Sequence, residues 1–231
     1  MTSAAAAPTV LLFDFGGTLD SDGVAWKPRF FQAWREEIGA VPEERFDAAF
    51  YAADDALVGA VAPDLTLTET VERLARGVAH RLEEGEGEPS ARVARRFSRD
   101  TLDTLSRRGA FLARLASRFR LGIVSNFYGN LAAACAEAGI ARNFSALIDS
   151  TDVGCSKPEP GIFRAALDKI RARPEEAVFV GDSIARDMAG ARGLGMRHVL
   201  LRAAEAADDP FLCCPGDRVI RRLEDLEGAL P

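Results

Sequence analysis

A chain of 231 residues, 48% apolar and 28% charged, can bury a sizeable core and has the balance of an ordinary globular protein. Its formal net charge of −6 gives no bias towards nucleic acid. No apolar run approaches the roughly 20 residues that a membrane helix needs, so neither nucleic acid nor membrane is an expected partner.

The N-terminal MTSAAAAPTV has no basic leader and no long apolar segment, so a secretory signal is not expected. Cys135, Cys155, Cys213 and Cys214 lack zinc-ligand spacing and read as reduced thiols of a cytoplasmic protein. The first strand is TVLLFDF (9–15), an apolar run that reaches Asp14 and then Gly16-Gly17. From about residue 22 to 107 no strand is expected. KPRFFQAWREEIG, PEERFDAAFYAADDALVGAV, TLTETVERLARGVAHRLEEG and PSARVARRFSRDTLDTL all have amphipathic helical spacing, with EGEGEP (84–89) as an exposed turn. Trp26, Phe30, Phe31 and Trp34 are read as the apolar core of this helical insert.

Strands then alternate with helices. RLGIVSN (120–126), SALIDS (145–150), AVFVGD (177–182), RHVLL (197–201) and DRVI (217–220) are strand candidates. AFLARLASRF, NLAAACAEAGI, GIFRAALDKIRA and ARDMAGARGLG have helical periodicity between them. This alternation predicts an α/β fold: a three-layer Rossmann-like core with a parallel sheet, formed by 1–21 and 108–231, plus an inserted α-helical domain at 22–107.

Active sites of open α/β sheets lie beyond the carboxyl ends of the strands. Asp14, Ser125-Asn126 and Asp182 each end a proposed strand, and Lys157 in SKPEPGIF can reach the same edge. Only three lysines exist, Lys27, Lys157 and Lys169, which makes a lysine in this setting informative. Bland readings remain for each: Asp14 and Asp182 as turn caps, Ser125 as a helix cap, Asp187 as a carboxylate complementing a helix dipole. His80 and His198 have no partner suggesting a triad or zinc site.

DFGGT, VSN, SKPEPGIF and GDSIARD occur in an order and spacing that resemble the haloacid dehalogenase-like superfamily of hydrolases. The resemblance runs from residue 9 to about 202, and the insert resembles the helical cap of one branch. It implies a magnesium-dependent hydrolase, most commonly a phosphatase of a small phosphorylated metabolite. Asp14 would attack phosphorus and form an aspartyl-phosphate that water hydrolyses. Asp14, the Gly16 carbonyl, Asp182 and Asp187 would hold Mg²⁺. Ser125, Asn126 and Lys157 would bind the phosphoryl group, with Lys157 stabilising charge in the transition state. Nothing in the residues chooses between a monomer and a homodimer.

One position departs from that pattern. Phosphatases of the family usually carry an aspartate where Gly16 stands, and it protonates the leaving oxygen and later deprotonates water. Asp20 and Asp22 are surrogate candidates, and both could equally cap the next helix. Phosphonate-cleaving members also lack this aspartate and form a Schiff base with a cap lysine, here Lys27. Carbon–halogen cleavage ranks lower, because the acidic GDSIARD motif is retained. A weakly catalytic, ligand-binding pseudophosphatase is the remaining alternative.

Overall fold

A computed structural model describes residues 7–206 and 218–230. Six parallel strands form one sheet: β1 (Val10–Phe13), β2 (Arg120–Ser125), β3 (Ala146–Asp149), β4 (Ala177–Gly181), β5 (Arg197–Leu201) and β6 (Arg218–Ile220). Their spatial order is β3-β2-β1-β4-β5-β6, so β1 is central and the chain reverses direction across the β1/β4 boundary. That boundary is the topological switch point where open sheets bind ligands. All six strand runs seen in the sequence pair, with Val10 opposite Arg120 on one side and Ala177 on the other.

Alternation along β1 explains the layers. Leu11 and Phe13 point into one apolar cluster, and Val10 and Leu12 into the other. All four side chains are fully buried, as expected of a strand covered on both faces.

Four helices occupy the interval after β1: α1 (Trp26–Glu37), α2 (Glu43–Asp55), α3 (Leu67–Leu82) and α4 (Glu88–Ala116). They are followed by α5 (Leu131–Glu137), α6 (Ser150–Val153), α7 (Pro160–Ile170), α8 (Ala189–Gly193) and α9 (Leu226–Ala229). Helix α7 packs on β2 and β3, opposite the layer that contacts the insert. Thr66 and Glu69 form a reciprocal capping box that starts α3, worth about 1 kcal/mol.

The structure joins two segments expected as separate helices. PSARVARRFSRDTLDTL and AFLARLASRF form the single 29-residue α4, which runs through residue 107 and Gly109 without a break. A glycine inside a helix costs about 1 kcal/mol, and the buried face that α4 packs against α1 and α3 outweighs it. One apolar cluster extends from Leu11 and Phe13 through Phe15, Phe127 and Phe97 into Phe30, Trp34 and Phe46. The insert and the sheet therefore share a core.

Among the described residues no helix is long and apolar enough to cross a membrane. Cys135 and Cys155 are free thiols, whereas Cys213, Cys214 and Asp217 lie outside the described residues. His80 is exposed on α3 beside Glu86, and His198 is buried on β5.

Candidate active site

Asp14 immediately follows β1, and its N–H donates to the Val180 carbonyl at 2.9 Å, which pins it to the β1/β4 boundary. Asp182 follows β4, and Ser125 is the last residue of β2. Asp187 sits in the turn at Ile184–Met188, where its carboxylate accepts from Ser183 N–H at 2.9 Å. One oxygen from each of Asp14, Asp182 and Asp187 lies within 4.8 Å of the other two.

Lys157 is the only cation inside this cluster among the described residues. Its Nζ lies 2.5 Å from Asp14 Oδ1 and 2.8 Å from Asp187 Oδ1. The second contact is an ion pair by distance, yet its angle leaves Asp187 Oδ1 without a hydrogen bond. Asn126 holds the lysine in place from both sides of its peptide unit: Lys157 N–H donates to Asn126 Oδ1 at 2.8 Å, and Asn126 Nδ2 donates to the Lys157 carbonyl at 3.2 Å. The Asn126 carboxamide is thus committed to Lys157, a positioning contact that its expected substrate role did not foresee.

Electrostatics follow from burial. Desolvation lowers the Lys157 pKa, but the charges of Asp14 and Asp187 outweigh it and hold the ammonium above the ordinary lysine value. Burial, reinforced by Asp187 and opposed by Lys157, raises Asp14. Asp182 is pushed up to about 8, first by burial and then by the Asp14 and Asp187 carboxylates. Three carboxylates converge on a single ammonium, and the protein resists ionising all three without another cation.

The glycines of the two motifs have steric causes. Gly17 has φ +94°, and a Cβ there would sit 2.5 Å from Asp182 Oδ2. A Cβ on Gly181 would sit 2.5 Å from Asp187 Oδ2. Both gaps let backbone and carboxylate approach to form the cluster. Gly16 differs: its φ of −80° suits any residue, but a Cβ would come within 3.1 Å of Trp26 Nε1. The indole occupies the space that a side chain at position 16 would enter.

Trp26 is therefore a wall of the site, a correction to its expected place in the bundle core, whereas Phe30 and Trp34 are fully buried. Its Nε1–H donates to Asp20 Oδ2 at 2.7 Å. Asp20 is 1% exposed and also accepts from Gly17 N–H and Arg29 Nη1, each at 2.7 Å. Both its oxygens are engaged, by the loop at Gly17 and by Trp26 and Arg29 of α1, and it does not line the cleft above Asp14. Asp22 turns to a separate cavity, where it binds Arg108 and accepts from Leu223 N–H at 2.9 Å. Neither surrogate serves Asp14.

A cleft of about 380 Å³ opens above Asp14, lined on the core side by Ser125, Asn126, Phe127, Tyr128, Lys157 and Arg186. Its opposite wall comes from the insert, with Trp26, Lys27, Phe50, Tyr51, Asp54 and Asp55. Asp149 shapes the core rim by accepting from the N–H groups of Gly129, Leu131 and Thr151, at 2.8, 3.2 and 2.9 Å. Tyr128 and Asp54 meet across the cleft through a 2.5 Å hydrogen bond from the phenol to Asp54 Oδ1. Sequence reasoning missed this pair; the only signal was the position of Tyr128 three residues after Ser125.

Residues 8–195 match the haloacid dehalogenase-like hydrolase family. The chain is 34% identical over 112 residues to mouse (Mus musculus) haloacid dehalogenase-like hydrolase domain-containing protein 3, covering 48% of this chain and 45% of that protein. It is 42% identical over 73 residues to a phosphoserine phosphatase of Thermus thermophilus, covering 32% of this chain and 29% of that one. The chain thus spans less than half the length of these curated relatives. Among solved structures, a dehalogenase superposes with a TM-score of 0.67 over 96% of this chain and 97% of its own, at 18% identity, a likeness of fold alone. With most of its length matched, the chain belongs to the haloacid dehalogenase-like hydrolase family.

Proposed function

We propose that this protein is a magnesium-dependent phosphatase of a small phosphorylated metabolite, with Asp14 as nucleophile. The observation that carries this reading is the cluster of buried Asp14 and Asp187 with half-buried Asp182, in which Lys157 is the one cation among the described residues. A divalent cation fits that charge deficit and the oxygen-only donor set. Asp14, Asp182, Asp187 and the Gly16 carbonyl would hold Mg²⁺, which when bound supplies charge neutralisation at the phosphoryl group. Asp14 attacks phosphorus with its free oxygen, while Lys157 and the Ser125 hydroxyl stabilise the equatorial oxygens. The cap wall excludes water and selects the substrate. Relatives that include a phosphoserine phosphatase and a glyceraldehyde 3-phosphate phosphatase support phosphoryl chemistry without naming this substrate.

Phosphonate cleavage through a Schiff base fits poorly. Lys27 lies 2.9 Å from Asp47 and 3.2 Å from Glu43. The hydrogen bond it donates to Asp47 is the main cause of its raised pKa, so the amine is held protonated rather than nucleophilic. The test of the main reading is phosphate release from a panel of phosphorylated metabolites, with Mg²⁺ and with a chelator. Saturable, magnesium-dependent release supports it; no release from any member overturns it.

Two further outcomes are expected here. For an acid with a folded pKa of about 8 and an unfolded value near 3.9, the metal-free fold loses stability as pH rises between the two. Metal binds the deprotonated carboxylates, so the Mg²⁺-induced rise in Tm should grow from about pH 5 to about pH 8 and then level. Asp182→Asn should remove that rise; an increment independent of pH would contradict the site. Gly16→Asp alone should destabilise by about 1–3 kcal/mol, because its Cβ strikes the indole of Trp26. Urea denaturation of Gly16→Asp, Trp26→Ala and the double variant as a cycle checks this, with Gly16→Asp costing less in the Trp26→Ala background than in wild type.

A further inference from the structure

The phosphatase reading leaves a proton unassigned, since Gly16 has no side chain and Asp20 and Asp22 are engaged elsewhere. We propose that Asp54, on cap helix α2 and held by Tyr128 of the core, is the acid/base group of the reaction, taking the place of the carboxylate absent at position 16.

Asp54 shares the cleft with Asp14, Gly16, Ser125 and Lys157. Contacts run outwards from Gly16 along the cleft wall to Asp54. The place of a Gly16 Cβ is 3.1 Å from Trp26, the Trp26 ring lies 6.5 Å from the Tyr128 ring, and the Tyr128 hydroxyl bonds Asp54. The carboxylate thus stands on the cap wall of the cleft that holds Asp14, on the far side of Tyr128 from the indole that fills the usual place. Only Oδ1 is engaged by Tyr128, which leaves Oδ2 for a leaving oxygen or a water. Among the described residues no lysine or arginine lies within ion-pair distance of Asp54, whereas Lys27 in the same wall is held by Glu43 and Asp47.

The charged groups around Asp54 suit a proton carrier. Burial raises its pKa above the ordinary aspartate value, the Tyr128 hydrogen bond and the Arg186 charge oppose that rise, and Asp55 on the same helix adds to it. Tyr128 is itself raised well above 10, by burial and by Asp54, so it stays a donor through the working range. An upward shift of a carboxyl in a cleft is in the direction a general acid requires.

In the first step an Asp14 oxygen bonds phosphorus, the bond from phosphorus to the ester oxygen breaks, and the Asp54 carboxyl gives its proton to that oxygen. The alcohol departs. In the second step the Asp54 carboxylate takes a proton from water as the water oxygen bonds phosphorus. The bond from phosphorus to Asp14 breaks, releasing phosphate and restoring both aspartates. Placing the acid on the cap makes proton transfer depend on closure, because Asp54 reaches the leaving group only when α2 lies over the cleft.

The experiment compares wild type, Asp54→Asn and Tyr128→Phe on phenyl phosphate and 4-nitrophenyl phosphate, esters of one shape whose leaving phenols differ in acidity. Asp54→Asn should lose about 10²–10⁴-fold in kcat on phenyl phosphate. Its loss on the nitrophenyl ester should be at least tenfold smaller. Tyr128→Phe should lower kcat by less than Asp54→Asn does and move the pH limb belonging to Asp54 upwards, since the phenol lowers that pKa. Equal losses on both esters, or none, would overturn the role of Asp54 while leaving the phosphatase reading intact. Wild type inert towards both esters and the metabolite panel would overturn the phosphatase reading itself, and this inference with it.

Discussion

Lys157→Met should destabilise the metal-free protein by roughly 3–5 kcal/mol, the usual cost of stripping one partner from a buried ion pair. The lysine side chain is 3% exposed, and its ammonium touches Asp14 and Asp187 while lying 5.7 Å over the ring of Phe179. Methionine fills the volume but leaves two buried carboxylates and the half-buried Asp182 with no internal cation. Domains are stable by only about 5–15 kcal/mol, so this loss is a large fraction. For a chain of this size it corresponds to a fall in Tm of roughly 6–20 °C. The deficit should shrink at acid pH, where the carboxylates take up protons, and shrink again on adding Mg²⁺ at neutral pH. A Tm unchanged at neutral pH without metal would show that the ammonium does not balance the cluster.

Asp14→Asn should cut phosphate release by about 10⁴-fold or more, since an amide cannot serve as the attacking group. The same substitution removes one negative charge from a crowded site. Its Tm without metal should therefore stay level or rise, in contrast to Lys157→Met. Measuring turnover and melting on the same preparation separates loss of chemistry from loss of fold. Residual activity within tenfold of wild type would remove Asp14 from the nucleophile's role.

Much of this was legible before the structure. The six strand runs announce themselves because a buried parallel strand is a short apolar stretch ending in a turn. Asp14, Ser125 and Asp182 then fall on one edge by topology alone. Lys157 was readable through its motif and the rarity of lysine. Local periodicity failed where contacts are long-range. Trp26 opens α1 with core-like spacing, yet Gly16 lies in its path and Asp20 holds its N–H, which turns the indole into a cleft wall. Asp54 reads as one carboxylate among many on an amphipathic helix, and only the packing of α2 over the core brings it to Tyr128. The junction within α4 was misjudged because glycine weakens a helix locally, while burial along 29 residues decides its continuity.

The central claim is attack by Asp14 on phosphorus, and turnover in ¹⁸O-water tests it most directly. Water that hydrolyses an aspartyl-phosphate bonds to phosphorus, whereas water that hydrolyses a carbon ester of Asp14 adds to the carboxyl carbon. Mass spectrometry of the released phosphate and of the peptide containing Asp14 should find the label in phosphate and none in Asp14. Label in Asp14 would mean that its carboxylate attacks carbon, and would contradict the account.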